Sequence, residues 1–274
     1  MCSTGLGTVH WLNVHGQQRC YDLIAPSSAW HMPVLIMHHG MTGNAAQFCN
    51  GRFAGAALSG GFALVCTAAI GGYWQFGSPT DCDLRSAPDL AYVSEIIDDL
   101  KRQPARYDSG RIFQAGFSQG ALFSAYSTFC LERDVVGFGQ AGSSYGPMKI
   151  AVLPTTPPLR ACVWCNRDDS HCHPMDSLLI EAGHSVVMSW SDRGGHNLPR
   201  TGNGWLPAIV DCAARAVSTP PRPVLNTPVP RVHHLCSCPS SMPATRPPKL
   251  THAGLGRAVA MLSQACSSSH QRRP

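Results

Sequence analysis

The sequence predicts an α/β protein, with a mostly parallel central sheet flanked by helices in one domain over residues 1–218 and a disordered tail over residues 219–274. Three observations carry this expectation. Short β-branched or apolar runs alternate with longer amphipathic stretches, as they do when β and α units stack on a largely parallel sheet. With 274 residues, 44% of them hydrophobic, the chain can bury one substantial core. From Thr219 onward Pro, Ser and Arg dominate, and ten of the 22 prolines lie there, so backbone donors are missing and regular ladders cannot form.

The elements follow in order. Residues 8–14 and 19–24 read as an opening antiparallel pair. Residues 33–38, 62–67, 111–115, 159–164 and 184–191 read as buried strands, because each is a short apolar run bounded by turn residues. The clearest helix covers residues 89–100, where Leu90, Val93, Ile96, Ile97 and Leu100 fall on one face. Helices also fit residues 45–58, 119–131, 175–182 and 207–217. Within the tail, residues 253–262 form one apolar stretch that could make an isolated short helix.

Charge and the lengths of the apolar runs argue against two classes of function. The net +5 comes from the tail: no acidic residue follows Asp211, and seven of the 21 Lys and Arg lie from Arg222 onward. The body is left slightly acidic, and no aromatic residues interleave with the basic ones, so no nucleic-acid partner is expected. No run of about 18 apolar residues exists, so no membrane-spanning helix is expected. Residues 1–14 lack the basic start and apolar stretch of a secretory signal.

The chain has 13 cysteines. Those in the body sit in apolar segments, and buried free thiols are the expectation. Cys162 and Cys165, followed by His171, Cys172 and His173, have the types and closeness of zinc ligands. On a strand, however, two cysteines three apart point to opposite faces, so no metal is expected there, and no cofactor elsewhere.

Residues 111–131 read strand, then Gly116-Phe117-Ser118-Gln119-Gly120, then helix, which is the setting of a nucleophile elbow in an α/β-hydrolase. A serine on so tight a turn holds its hydroxyl clear of the sheet. The flanking glycines are required because a Cβ at either would strike the neighbouring strand or helix. The helix start then offers the Gln119 N–H as an oxyanion donor. A second match, Gly142-Ser143-Ser144-Tyr145-Gly146, runs into Pro147 with no helical face behind it, and Ser144 is read as a loop serine.

In this fold the acid and then the histidine follow the serine, on loops after later strands. Asn166-Arg167-Asp168-Asp169 follows one predicted strand, and Asp192-Arg193-Gly194-Gly195-His196-Asn197 follows the next. His196, on a glycine-rich loop, can reach the serine hydroxyl as general base. Asp168 and Asp169 are adjacent, and nothing in the residues separates them. His171, His173 and His184 are read as surface or packing residues. A second oxyanion donor is expected after the first central strand, at His39-Gly40-Met41-Thr42-Gly43, with the Met41 N–H as candidate.

Taken together, several motifs resemble the esterase family that groups polyhydroxybutyrate depolymerases with feruloyl and acetylxylan esterases. They are His39-Gly40, Asp89-Leu90-Ala91-Tyr92-Val93, Tyr107-Asp108-Ser109-Gly110-Arg111-Ile112-Phe113 leading into the elbow, and Gly194-Gly195-His196-Asn197-Leu198-Pro199. The resemblance covers roughly residues 19–198. It implies a serine esterase acting through an acyl-enzyme on small-molecule or polymer esters. Ser118, Asp168 and His196 would be its triad, and Met41 and Gln119 its oxyanion donors. Where the family has a glycine three residues before the acid, this chain has Cys165. Trp74 and Tyr73 are candidates to line the substrate pocket. A thioesterase or peptidase on the same triad, or a silent scaffold of this fold used for binding, are the alternatives.

Overall fold

The computed structural model describes residues 5–77, 82–143, 158–172, 176–197 and 205–218. These all fall within one unit, residues 1–224. The tail from residue 219 on, including residues 253–262, lies outside the described residues, as do Ser144, His173, Leu198 and Pro199.

The sheet has eight strands: β1 (Thr8–Val14), β2 (Gln17–Ile24), β3 (Met32–His38), β4 (Ala63–Thr67), β5 (Tyr107–Phe117), β6 (Val135–Ala141), β7 (Arg160–Asn166) and β8 (Ser185–Ser191). Their order is β1-β2-β4-β3-β5-β6-β7-β8. β1 pairs antiparallel with β2, and β2 antiparallel with β4; every later pairing is parallel. A β3 that lies between β4 and β5 forces the crossovers that put helices on both faces. The helices are α1 (Gly51–Ser59), α2 (Pro88–Lys101), α3 (Gln119–Cys130), α4 (Asp176–Glu181) and α5 (Trp205–Ser218). None of the described helices is long and apolar enough to cross a membrane.

Each face of the sheet has its own core. On one, Val34, Ile36, Val65 and Ile112 pack against Leu90, Val93, Ile97, Phe123 and Tyr126 of α2 and α3. On the other, Leu35, Met37, Leu64 and Phe113 pack against α1 and α5 through Phe53, Ile209 and Val210. The central strands are buried on both faces, which is why they read as continuous apolar runs rather than as alternating ones.

Every strand and helix expected within the described residues is present, with ends shifted by a few residues. The largest shift is in the segment expected as one helix over residues 45–58. It is a single 3₁₀ turn, Ala45–Gln47, followed by α1, whose start Asn50 caps by accepting from the N–H groups of Arg52 and Phe53. β6 has no counterpart in the sequence reading. Gly137 and Gly139 interrupt its apolar pattern, and they are there because a side chain at either would meet Arg160 O of β7 or Ile209 of α5.

The expectation of free thiols is corrected. Among the described residues, disulfides join Cys49 to Cys66, Cys82 to Cys130, Cys162 to Cys212 and Cys165 to Cys172. With both Cys162 and Cys165 paired elsewhere, no cysteine of that segment is left to ligate zinc.

Candidate active site

β5 ends at Phe117 and α3 begins at Gln119, so Ser118 alone makes the turn between them, at φ 53°, ψ −121°. A left-handed backbone at a residue with a Cβ is strained and persists only where its surroundings hold it. They do here. The Ser118 N–H donates to Ala141 O of β6 at 2.9 Å, and Ser118 O accepts from Ala121 and Leu122 to start α3. A Cβ on Gly116 would strike Gly120 O and His38 O, and one on Gly120 would strike His38 O and His39 O. The elbow therefore closes only with glycine at both positions.

The Ser118 hydroxyl donates to His196 Nε2 at 2.8 Å, and His196 Nδ1–H donates to Asp169 Oδ2 at 2.9 Å. Phe117, just before the serine, stacks on the His196 ring with centroids 5.1 Å apart. Asp169 is buried, and its other oxygen, Oδ1, accepts from the His171 backbone N–H at 2.9 Å and from His171 Nδ1–H at 3.1 Å. Burial alone would raise this carboxyl. The His171 backbone N–H and the two imidazole N–H groups outweigh it and hold the group below the usual carboxylate value, so it is an anion.

Asp168, one residue earlier, does a different job. Its carboxylate accepts from the N–H of Gly195 at 2.9 Å and of Gly194 at 3.1 Å, and these bonds lower its pKa. Asn166 Nδ2 donates to Gly195 O at 2.8 Å. The glycines make the approach possible: Gly194 sits at φ 150° and Gly195 at φ 55°, and a Cβ on Gly194 would crowd the Asn166 side chain. Asp168 and Asn166 thus clamp the loop that presents His196.

Two segments border the serine. Gln119 opens α3, where N–H groups have no partner within the helix and the helix dipole favours negative charge. On the other side, Gly40 brings the chain against the elbow: a Cβ there would lie 3.5 Å from Ser118 Cβ. Met41 follows it, in a turn closed by Gly43 N–H to Gly40 O and tied by Thr42 N–H to Gly72 O.

Trp74 corrects the expectation that it lines a substrate pocket. Its ring is 2% exposed, stacked on Phe123 at 4.5 Å, and its indole N–H donates to His39 O at 2.7 Å. Its backbone N–H donates to Gln119 Oε1, so it braces the elbow from beneath. The segment carrying it is anchored at Gln75, whose N–H donates to Asp89, itself buried against Arg19 at 2.7 Å. Tyr73 is 48% exposed and keeps its side chain available to solvent.

No family model matches the chain. One curated relative, the bifunctional acetylxylan esterase/xylanase XynS20E of Neocallimastix patriciarum, is 28% identical over 125 residues. That stretch is 45% of this chain and 18% of the relative, so the chain spans less than a fifth of that protein's length. Among solved structures, an S-formylglutathione hydrolase from Agrobacterium tumefaciens superposes with a TM-score of 0.56 over 76% of this chain and 94% of its own, at 14% identity. An acetyl xylan esterase from Aspergillus awamori gives 0.54 over 72% and 97%, at 12% identity. The chain has the α/β-hydrolase fold. The likeness to esterases of this fold that the motifs carry is borne out by these relatives.

Within this fold Ser118 meets His196, Gln119 follows it, and the Gly40 turn lies against it. The structure departs from the sequence reading at the acid: the carboxylate on His196 belongs to Asp169, and Asp168, which the resemblance pointed to, faces Gly194 and Gly195 instead. The reason is local. β7 runs to Asn166 and the Cys165–Cys172 disulfide then pulls the loop back on itself, which turns Asp169 inward beneath the imidazole. His171, set aside from sequence as a surface or packing residue, is also bound to that acid. The signal that could have found both was the pair of cysteines seven residues apart bracketing the two aspartates. His184 packs as expected, buried, with its Nδ1 accepting from Leu159 N–H.

Proposed function

We propose that the chain is a serine esterase hydrolysing carboxylic esters through an acyl-enzyme, with Ser118 as nucleophile, His196 as general base and Asp169 as its acid partner. One observation carries the reading: the hydroxyl, imidazole and carboxylate stand in line at 2.8 and 2.9 Å, on a serine held in strained backbone at a helix start.

Ser118 Oγ attacks the ester carbonyl while its proton passes to His196 Nε2. Asp169 keeps Nδ1 protonated, so Nε2 is free to accept, and the carboxylate stabilises the imidazolium that results. The carbonyl oxygen, now negative, takes hydrogen bonds from the Gln119 and Met41 N–H groups. His196 then returns the proton to the departing alkoxide. Water, deprotonated by the same imidazole, attacks the acyl-enzyme and frees the acid and Ser118. No cofactor is required.

The relative named as an acetylxylan esterase makes acetyl esters the first substrates to try, and the motif resemblance extends this to feruloyl and hydroxybutyrate esters. The test is hydrolysis of p-nitrophenyl acetate, followed by a panel of acetyl, feruloyl and hydroxybutyrate esters, acyl thioesters and peptide amides. Activity on esters, covalent labelling of Ser118 by a fluorophosphonate and loss of both in Ser118→Ala with melting unchanged are expected. Full turnover by Ser118→Ala would overturn the assignment.

A further inference from the structure

The acid of the triad is shared between two histidines. His171 Nδ1 and His196 Nδ1 lie on opposite oxygens of Asp169, at 3.1 and 2.9 Å, and their rings stand 4.1 Å apart. One ligand atom from each of the three residues falls within 4.8 Å of the others. A tetrahedral zinc-type ion with bonds of about 2.0–2.1 Å holds its ligand atoms a little over 3 Å apart, and each imidazole already stands near that distance from one carboxylate oxygen, His171 from Oδ1 at 3.1 Å and His196 from Oδ2 at 2.9 Å. The two imidazoles can draw together on the ion because His171 is on the outside, its side chain 59% exposed. That exposure also supplies the way in.

We propose that Asp169, His171 and His196 form an inhibitory site for a divalent transition-metal ion of the zinc type. Two imidazoles and one carboxylate suit zinc, copper or nickel, and they do not suit magnesium or calcium, which demand oxygen ligands. Water completes the shell on the exposed side.

Inhibition follows from the tautomer and rests on the esterase reading. The ion takes the Nδ1 lone pairs of His171 and His196, and in each ring the proton that Nδ1 carried moves to Nε2. The His196 ring stays neutral overall, but its Nε2 is now a donor and has no lone pair for the Ser118 proton. Asp169 is withdrawn into the metal shell at the same time. Base and acid are lost together, while Ser118 and the elbow are untouched.

The experiment has two arms, so the site and the inhibition are judged separately. In the first, Zn²⁺ is titrated calorimetrically into Ser118→Ala protein, with and without His171→Ala or His171→Gln. One zinc per chain is expected, weakened about tenfold or more when His171 is replaced, since loss even of groups that only support a metal ligand has that effect. In the second, p-nitrophenyl acetate hydrolysis is followed with Zn²⁺, Mg²⁺ and then EDTA, each variant being compared with its own metal-free rate. Zinc should inhibit, EDTA should restore, magnesium should do nothing, and replacing His171 should raise the half-inhibiting zinc concentration about tenfold or more. Equal zinc affinity with and without His171 overturns the site. Zinc bound through His171 with hydrolysis unaffected overturns the inhibition. A chain that hydrolyses no ester at all fails the esterase reading alone, and the calorimetric arm still decides the site.

Discussion

Asp168 accepts the Gly195 N–H at 2.9 Å, one residue before the histidine that Asp169 holds at 2.9 Å. Two consecutive carboxylates therefore fix the same loop in different ways. One grips its backbone and sets where the loop lies; the other grips the imidazole and sets which nitrogen carries the proton. The first task needs an acceptor and tolerates solvent, and Asp168 is exposed accordingly. The second needs an anion beneath the ring, and Asp169 is buried.

That division predicts unequal losses. Asp169→Asn should lower kcat by about 10⁴-fold, because an amide there leaves the imidazole in the wrong tautomer. Asp168→Asn keeps one acceptor for the Gly194 and Gly195 N–H groups and only loosens the loop, so its loss should be no more than about a hundredfold. Steady-state kinetics on p-nitrophenyl acetate decide between them; equal losses, or the reverse ranking, would show that the roles are assigned the wrong way round.

The elbow makes a second prediction. A Cβ on Gly120 meets two backbone carbonyls, those of His38 and His39, and neither can swing aside as a flexible side chain could. Gly120→Ala should cost more than the roughly 1–3 kcal/mol of ordinary overpacking and lower the melting temperature sharply. Gly55→Ala is the control: it sits in α1 with open space around its Cβ position, and there alanine should be neutral or stabilising. Similar melting temperatures for the two variants would show that the close approach at Gly120 is not rigid.

The elbow was legible in the sequence because its requirements are local. Glycine, serine and glycine at fixed spacing, with a strand before and a helix after, leave little choice of geometry. The carboxylate on His196 was not, because Asp168 and Asp169 differ only in which way the chain turns after β7, and the two cysteines that bracket that turn were read as free thiols rather than as a bridge. Trp74 was misread for a related cause: an aromatic residue in a Gly-rich loop looks the same in sequence whether it lines a pocket or braces a wall. β6 escaped notice because glycines demanded by close neighbours broke the apolar run that marks a strand. For Trp74 and β6 the missing information was packing against residues distant in sequence.

The disulfides should separate stability from activity. Cys162–Cys212 spans 50 residues and Cys165–Cys172 spans seven. By loop entropy the first contributes about 4 kcal/mol and the second about 2.5 kcal/mol. Replacing Cys162 and Cys212 by serine should therefore cost more in melting temperature. Replacing Cys165 and Cys172 should cost more in kcat, because that bridge closes the loop carrying Asp169 and His171. Both pairs form in oxidising surroundings, and a mild reductant should reproduce the two effects in sequence as each bridge opens. An enzyme of unchanged kcat without Cys165–Cys172 would mean that the loop holds its shape unaided.

His38 gives a prediction in pH. It is fully buried, its Nδ1 2.9 Å from Thr67 Oγ1 and its Nε2 2.8 Å from the Gln114 carboxamide, while the Thr67 hydroxyl donates to Met37 O. Burial lowers its pKa from 6.5 to about 3, against the opposing hydrogen bond to the Gln114 carboxamide oxygen. Between those values the unfolded chain binds a proton that the folded chain refuses, so stability falls as pH drops below about 6.5 and the contribution is fully lost near pH 3. The neutral ring contributes about 5 kcal/mol at most over that span, and about 2–3 kcal/mol should disappear between pH 7 and pH 4.5. Carboxylates add their own dependence, which His38→Gln leaves in place while removing the imidazole. Urea unfolding of both proteins across this range should therefore give a shallower pH dependence for the variant, by about that amount. Parallel curves would mean that the ring takes up a proton inside the fold, with Thr67 and Gln114 both accepting from it.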